Sequence, residues 1–138
     1  MFNEILSHLN WLHILVATLA FFALGALWYS PVLFAKPWTS MNTVPMDADK
    51  KGMGMAMLLS FIFMFVASTG IAILQQVLAV SDAVHGIKLG LLVGVCFSVP
   101  SISISYVYLK RPVGLYFIDG GYQLVGCILA SLVLAVWH

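Results

Sequence analysis

Asp119 is the residue of this chain whose setting is chemically most unusual, because it interrupts the last of several long apolar segments. A charged group at the centre of a membrane-spanning helix costs about 2.5–3.5 kcal/mol on the insertion scale, so Asp119 needs a polar partner there. Tyr116 and Gln123 flank it at three- and four-residue steps, which places all three on one helix face. Such an ionisable residue is typical of a site for a proton, a small cation or a polar solute.

Polar residues of two other apolar segments are expected to face Asp119. Pro31 in the first segment and Pro100 in the third each leave a backbone carbonyl without its usual N–H partner, close to tyrosines and serines. We therefore predict a polar pocket in the inner half of the membrane, lined by Asp119, Gln123, Tyr122, Ser101, Ser105, Tyr108, Tyr29 and Ser30. The alternative is that these residues only hydrogen-bond between helices and fix their packing.

The four histidines are the other candidates for chemistry, since imidazole binds zinc, copper or nickel. His8, His13, His85 and His138 all map to the outer side of the predicted membrane fold. His8 and His13 are five residues apart, which is poor spacing for one helix face, so neither a metal site nor a cofactor is predicted. The sequence also has no phosphate-binding loop, catalytic triad, metalloprotease helix or haem-attachment motif, and no catalytic residue is predicted.

Composition determines the elements that must position these residues. Of 138 residues, 62% are hydrophobic and 8% are charged, whereas about a quarter of the residues in a soluble domain are charged. Four apolar runs are long enough to span a bilayer as helices and too long for barrel strands. We predict an all-α polytopic membrane protein, with an antiparallel bundle of four transmembrane helices at about 10–34, 55–80, 84–109 and 112–136, in a single domain over 1–138. The net charge of +1 gives no reason to expect nucleic acid as a partner.

Basic residues predict the orientation of the bundle. Five of them fall in the first and third loops, and only Lys88 lies near the other side. The positive-inside rule then puts loops 35–54 and 110–112 in the cytoplasm and both termini outside the cell membrane. The five residues expected to meet anionic lipid headgroups are Lys36, Lys50, Lys51, Lys110 and Arg111. Within the first loop, the only long one expected, Asp47 or Asp49 is predicted to cap the next helix.

Small residues recur at strict four-residue spacing along the third segment: Gly86, Gly90, Gly94 and Ser98. They form a ridge, here called the glycine ridge, on which another helix backbone can approach closely. The ridge predicts packing within the bundle or between subunits, and a pore lining is the minor alternative. Because four short helices make a small bundle, the ridge is also the reason to expect a homo-oligomer.

Three motifs carry a resemblance to a known family. They are the run from Gly25 to Pro31 with Phe34, Lys36 and Trp38; the run from Gly86 to Gly90 continuing to Gly94; and Arg111-Pro112 followed by the run from Phe117 to Gln123. In this order they resemble the small bacterial membrane proteins grouped as domain of unknown function 1761. The resemblance covers nearly the whole chain. It implies four spans and an uncharacterised role, and it supplies no catalytic residues.

Three classes of function are compatible with these features. The leading hypothesis is binding or passage of a small solute or ion at Asp119, which predicts a cavity reaching that residue. A structural or accessory membrane protein predicts instead a dry core with Asp119 hydrogen-bonded to tyrosine or serine hydroxyls. A membrane-embedded enzyme acting on lipid or quinone predicts a lipid-open groove with two or more titratable groups close together, and it ranks last. Membrane lipids are the partners common to all three.

Overall fold

Four helices of the protein are long and apolar enough to cross a membrane, at Trp11–Trp28, Gly54–Val77, Ala83–Leu109 and Val113–Val136. The computed structural model describes residues 1–41 and 50–137, and within these ranges it contains helices and no strand. The helices are α1 (Phe2–Ser7), α2 (Trp11–Trp28), α3 (Ala35–Met41), α4 (Lys50–Val77), α5 (Ala83–Val93), α6 (Val99–Leu109) and α7 (Val113–Val136). The predicted all-α fold with four spans is confirmed.

Side-chain caps begin two of the spans. The Asn10 side chain accepts the backbone N–H groups of Leu12 and His13 at 3.1 and 3.2 Å. The Asp82 carboxylate accepts the backbone N–H of His85 at 3.2 Å. These oxygens satisfy N–H groups that the first turn of a helix leaves without a partner. Asp47 and Asp49, predicted to cap the second span, lie outside the described residues.

Asp82 also makes the stability of the α5 N-terminus dependent on pH. Two hydrogen bonds from His85 hold the pKa of the Asp82 carboxyl below its ordinary value. The backbone N–H of His85 has the larger effect, and the His85 ring nitrogen, 2.6 Å from the carboxylate, has the smaller one. The folded state therefore binds this proton less readily than the unfolded state. The stabilisation is present above the ordinary pKa of aspartate and is lost as the pH falls through the lowered pKa.

We expect the thermal unfolding midpoint of the wild type to decrease when the pH is lowered through this acidic range. The Asp82→Asn variant should start lower at neutral pH and decrease less on acidification. Both groups are exposed to solvent, so the shift is small and requires the two proteins to be measured side by side. If the unfolding midpoints of the two proteins decreased in parallel with pH, Asp82 would not be the source of this pH dependence.

The first span is shorter than the sequence indicates. Helix α2 ends at Trp28 and not near residue 34, because Pro31 has no N–H to continue the helix. A turn follows, in which the N–H of Phe34 donates to the Trp28 carbonyl at 3.1 Å and the N–H of Ala35 donates to the Ser30 carbonyl at 3.2 Å. Helix α3 then occupies the start of the predicted long loop 35–54, and α4 begins inside it at Lys50.

Helix α7 is the centre of the bundle. Half of its most apolar stretch is buried, whereas no more than 22% is buried in any of the other spans. It packs against α2, α4, α5 and α6, and α4 packs in addition against α2 and α5. Among the described residues, α4 and α6 form no comparable interface. The bundle is therefore closed around α7 but has a gap between α4 and α6.

The glycine ridge is the contact between α5 and α7. A Cβ atom at Gly90 would come within 2.5 Å of the Ile128 Cα, and one at Gly94 would come within 3.0 Å of the Leu124 Cα. At Gly86 it would lie 2.5 Å from the Ala135 Cβ. The ridge therefore serves packing within the bundle. Since α7 covers it, it is not the surface that would support a homo-oligomer.

Buried polar contacts as well as apolar ones hold the half of the bundle at the C-terminal end of α7. After the predicted orientation, this half is here called the outer half and the opposite one the inner half. The Gln75 side-chain amide donates to the carbonyl and to the hydroxyl of Ser131, at 2.7 and 3.0 Å. The Ser131 hydroxyl donates to the Gly86 carbonyl at 2.6 Å. These bonds join α4, α7 and α5, and they satisfy polar groups that would be costly to leave unpaired in hydrocarbon.

Candidate functional site

The Asp119 side chain is buried and is hydrogen-bonded by residues from two other parts of the chain. It lies in the inner half of α7, and its residue is 8% exposed. The hydroxyl of Tyr29 donates to its Oδ1, and the hydroxyl of Tyr106 donates to its Oδ2. Each carboxyl oxygen thus accepts one hydroxyl. Because a carboxylate offers about four acceptor positions in total, about two remain open.

Tyr29 reaches Asp119 because α2 ends where it does. Tyr29 is the C-terminal cap of α2, with its N–H still donating to the Gly25 carbonyl at 3.0 Å. The chain leaves the helix at the next residue, so the Tyr29 ring is placed at the inner end of α2 beside α7. Its ring lies edge to face with those of Trp38 and Tyr122, at centroid distances of 5.8 and 5.4 Å. These contacts hold the hydroxyl in position.

Tyr106 reaches Asp119 from α6, after a change of helical geometry. The residues Gly94–Ser98 form a π-helical turn between α5 and α6, in which the N–H of Val99 donates to the Gly94 carbonyl. Pro100, the next residue, has no N–H and so cannot make the next backbone hydrogen bond of the helix. A π turn is one way in which a helix accommodates such a break. The extra residue in the turn rotates α6 relative to α5. Tyr106 was not among the residues predicted for the pocket.

A second layer of aromatic side chains lies behind this cluster. The Tyr122 hydroxyl donates to the Phe21 carbonyl at 3.2 Å, and the Trp28 indole N–H donates to the Ile118 carbonyl at 2.9 Å. Gly25 makes room for Tyr122, since a Cβ at that position would lie 2.8 Å from its hydroxyl oxygen. The layer joins α2 to α7 beside the Asp119 cluster.

Asp119 forms part of the wall of a cavity of about 860 Å³ in the inner half. Helices α2, α4, α6 and α7 surround the cavity, together with Trp38 of α3. Seven of its lining residues are aromatic: Phe21, Phe22, Tyr29, Trp38, Phe63, Tyr106 and Tyr122. The side-chain polar groups other than tyrosine and tryptophan are those of Asp119, Gln123 and Ser60. This size and this mostly apolar lining are typical of small-molecule sites.

The structure brings together only part of the predicted pocket. Asp119, Gln123, Tyr122 and Tyr29 line the cavity. The half-buried amide of Gln123 has no hydrogen-bond partner among the residues that the structure describes.

The remaining four predicted residues lie elsewhere. The Ser30 hydroxyl donates to the Leu27 carbonyl, and the Ser101 hydroxyl donates to the Phe97 carbonyl, both at 2.6 Å. Ser105 donates to the Ser101 carbonyl at 3.5 Å, and Tyr108 is 83% exposed. Ser101 faces a shallower depression of about 350 Å³ on the other side of Gln123.

Basic residues lie around the inner end of the bundle. Lys36 lies on α3, Lys110 and Arg111 lie between α6 and α7, and Lys50 and Lys51 begin α4. Lys110 adopts a left-handed backbone conformation that ends α6. None of the basic residues lines the described wall of the cavity.

Histidine side chains do not form a metal centre in the described part of the chain, where no three histidine, cysteine or acidic residues cluster. His85 pairs with Asp82, and the His13 ring stacks on Trp137 at a centroid distance of 4.1 Å. The Ser7 hydroxyl and the Glu4 carbonyl are the contacts of the His8 ring. His138 lies outside the described residues.

Three apolar spans around a fourth, central one, with a carboxyl group of that helix facing a cavity, define a polytopic α-helical membrane protein. Residues 12–135 match a family model described as "Protein of unknown function (DUF1761)". The chain therefore belongs to that family, as its motifs indicated. Searches of curated proteins and of solved structures each found no match.

Proposed function

We propose that this protein binds a small amphipathic solute in the cavity of the inner half of the bundle, with Asp119 as the polar anchor. The observation that carries the proposal is that a buried carboxyl group, with acceptor positions still open, forms part of the wall of an 860 Å³ cavity. A carboxyl group needed for packing alone has no reason to face such a space. The half-buried Gln123 amide, which lines the same cavity, offers a second polar contact to this ligand.

Binding has more support than passage. The outer half of the bundle is close-packed above the cavity, and Ile14, Ala17 and Phe21 are at most 1% exposed. A solute that crossed the bilayer would have to displace this core. With the orientation that the basic residues favour, the cavity lies in the cytoplasmic half of the membrane.

Ligand-dependent stability tests the proposal. We expect members of a panel of small amphipathic amines, alcohols and carboxylates to raise the thermal unfolding midpoint of the purified protein in detergent. A ligand present at 100 times its Kd stabilises by about 2.7 kcal/mol, which such a scan resolves readily. The Ala67→Trp variant fills the cavity from α4 and should lose the response.

Val66→Trp is the matched control for this experiment. Val66 is the neighbouring residue of α4, is 62% exposed and lies outside the cavity lining, so its variant should keep the wild-type response. Two results contradict the proposal. One is a wild-type protein that no compound stabilises, and the other is a response of equal size in the Ala67→Trp variant.

A structural role for Asp119 is the second candidate function, and one observation favours it. Both of its carboxyl oxygens already accept tyrosine hydroxyls, so the residue ties the end of α2 and helix α6 to α7. The two roles make different predictions. A purely structural Asp119 gives a protein that no panel compound stabilises and that loses stability when the carboxyl group is removed.

A further inference from the structure

We infer that the solute is a lipophilic organic cation, such as a hydrophobic amine or a quaternary ammonium or phosphonium compound. This inference rests on the proposed function and specifies the chemical class of its ligand. It is carried by the charge, the aromatic content and the size of the cavity taken together. Each of these excludes a different alternative.

The charge of the lining excludes an anion. Asp119 is the one acidic residue in the described wall of the cavity, and that wall contains no lysine, arginine or histidine. Arg111 lies between α6 and α7, outside this lining. An anion entering this apolar space would meet a carboxylate and no positive side chain in the described wall, which is costly in a medium of low dielectric. A cation is the ligand whose charge complements the Asp119 carboxyl group in this wall.

The aromatic rings favour a cation with an organic body. Seven aromatic residues surround the space, and the faces of such rings attract cations at about 0.5–2 kcal/mol each, most strongly where water is excluded. Phe63 lines the cavity from α4, whereas Asp119 lines it from the central helix α7. Met57 and Met64 add polarisable, adaptable surface of the kind found in sites that accept ligands of varied shape.

The size of the cavity excludes a bare metal ion. A metal ion requires several oxygen, nitrogen or sulfur ligands at short distance, and the described residues hold no group of three acidic, histidine or cysteine side chains. A volume of about 860 Å³ suits an organic molecule whose apolar body fills the space. Such a molecule can approach Asp119 at its open acceptor positions while Tyr29 and Tyr106 keep their hydrogen bonds.

A route for such a ligand exists at the side of the bundle. The cavity walls include α4 and α6, which do not pack together along their described lengths. Residues 54–60 of α4 are exposed, and Phe63 is 69% exposed. A lipophilic cation partitions into the membrane beside this gap, so it reaches Asp119 without crossing the basic residues at the inner end.

A pair of ions of nearly equal shape and opposite charge tests the inference. We expect tetraphenylphosphonium to bind the purified protein in equilibrium dialysis, after subtraction of uptake by empty micelles, and tetraphenylborate to bind at least about tenfold more weakly. The Asp119→Asn variant should weaken tetraphenylphosphonium binding by at least about tenfold, because it removes the charge and keeps the shape. Asp82→Asn, which changes a carboxylate outside the cavity, should leave the Kd unchanged.

A second variant keeps the inference falsifiable if Asp119→Asn does not fold. Phe63→Leu keeps the cavity apolar but removes one ring, and it should raise the Kd for tetraphenylphosphonium about two- to fivefold. Equal binding of the two ions, or an unchanged Kd in Asp119→Asn, overturns the cationic class. The proposed function survives that result if Ala67→Trp still abolishes stabilisation by the panel. If neither ion binds the wild type, the cationic class is also overturned, and the panel alone decides whether a solute site exists.

Discussion

Gly90→Leu is expected to abolish the native packing of the bundle. A Cβ at this position would lie 2.5 Å from the Ile128 Cα and 2.7 Å from the Cys127 carbonyl oxygen, so the obstruction is the α7 backbone and not a side chain that can rotate away. Overpacking costs about 1–3 kcal/mol where side chains can yield. Here α5 and α7 must separate, and we expect a loss above about 3 kcal/mol. Size-exclusion chromatography in detergent should show aggregation, and the cooperative thermal transition should disappear.

Gly70→Leu is the matched control for this substitution. Gly70 lies in α4, where an added Cβ meets nothing within 4 Å, so the same change of residue type is expected to shift stability by about 0.5 kcal/mol or less. The comparison separates the close approach of two backbones from the general effect of replacing glycine in a membrane helix. A Gly90→Leu protein that elutes and melts like the wild type would show that α5 and α7 are not in this contact.

Asp119→Ala is expected to produce the second largest loss of stability, about 1–3 kcal/mol. The change removes the acceptor of two hydroxyls at once, from Tyr29 after α2 and from Tyr106 on α6. Hydrogen bonds between membrane helices contribute about 0.6 kcal/mol on average and up to about 1.7 kcal/mol. Tyr29→Phe and Tyr106→Phe should therefore each cost about half as much as Asp119→Ala. Thermal or denaturant unfolding in the same detergent measures all three.

Double variants test whether these losses belong to the same bonds. Adding Tyr29→Phe to Asp119→Ala should cost little beyond Asp119→Ala alone, because the partner of the hydroxyl is already gone. Ser105→Ala is the control, since Ser105 is exposed and donates to a carbonyl of its own helix. Fully additive losses, or an Asp119→Ala protein as stable as the wild type, would show that the carboxyl group does not tie the helices together.

The number and type of spans could be predicted because they depend on local composition. A run of apolar residues partitions into the bilayer whatever its neighbours are, and its backbone must then form a helix. The end of α2 could not be placed in the same way. Val32 and Leu33 continue the apolar run although Pro31 has already ended the helix, and both side chains are exposed at 81% and 42%. Hydropathy predicts which residues lie within the membrane better than it predicts where a helix ends.

The partners of Asp119 were harder to predict than Asp119 itself. Serines appeared to be natural partners, but a serine in a helix can satisfy its hydroxyl on a carbonyl one turn back, as Ser101 does with Phe97. Tyr106 had a signal in the sequence that was not used. The four-residue steps of the glycine ridge, continued beyond Ser98, pass through Ile102 to Tyr106, and both line the cavity beside α7. Continuing the four-residue spacing of the glycine ridge along the helix identifies Tyr106, whereas a search for polar residues that could pair with Asp119 does not.

The contact of Gln75 with Ser131 illustrates what a single sequence does not contain. Both residues sit in apolar runs, and their pairing depends on how α4 and α7 are rotated about their own axes. That rotation results from the packing of all four spans together. Neither the spacing of Gln75 in its own helix nor that of Ser131 indicates it.

The central position of α7 has a consequence for how the protein is made. Synthesis proceeds from the N-terminus, so the helix that the other three spans share as a partner is the last to leave the ribosome. Until then Gly86, Gly90 and Gly94 lack the α7 backbone against which they pack, and the Tyr29 hydroxyl lacks the carboxyl group to which it donates. Insertion of the first three helices and assembly of the bundle are therefore separate stages, and every stop codon upstream of α7 leaves a chain that can enter the membrane but cannot mature.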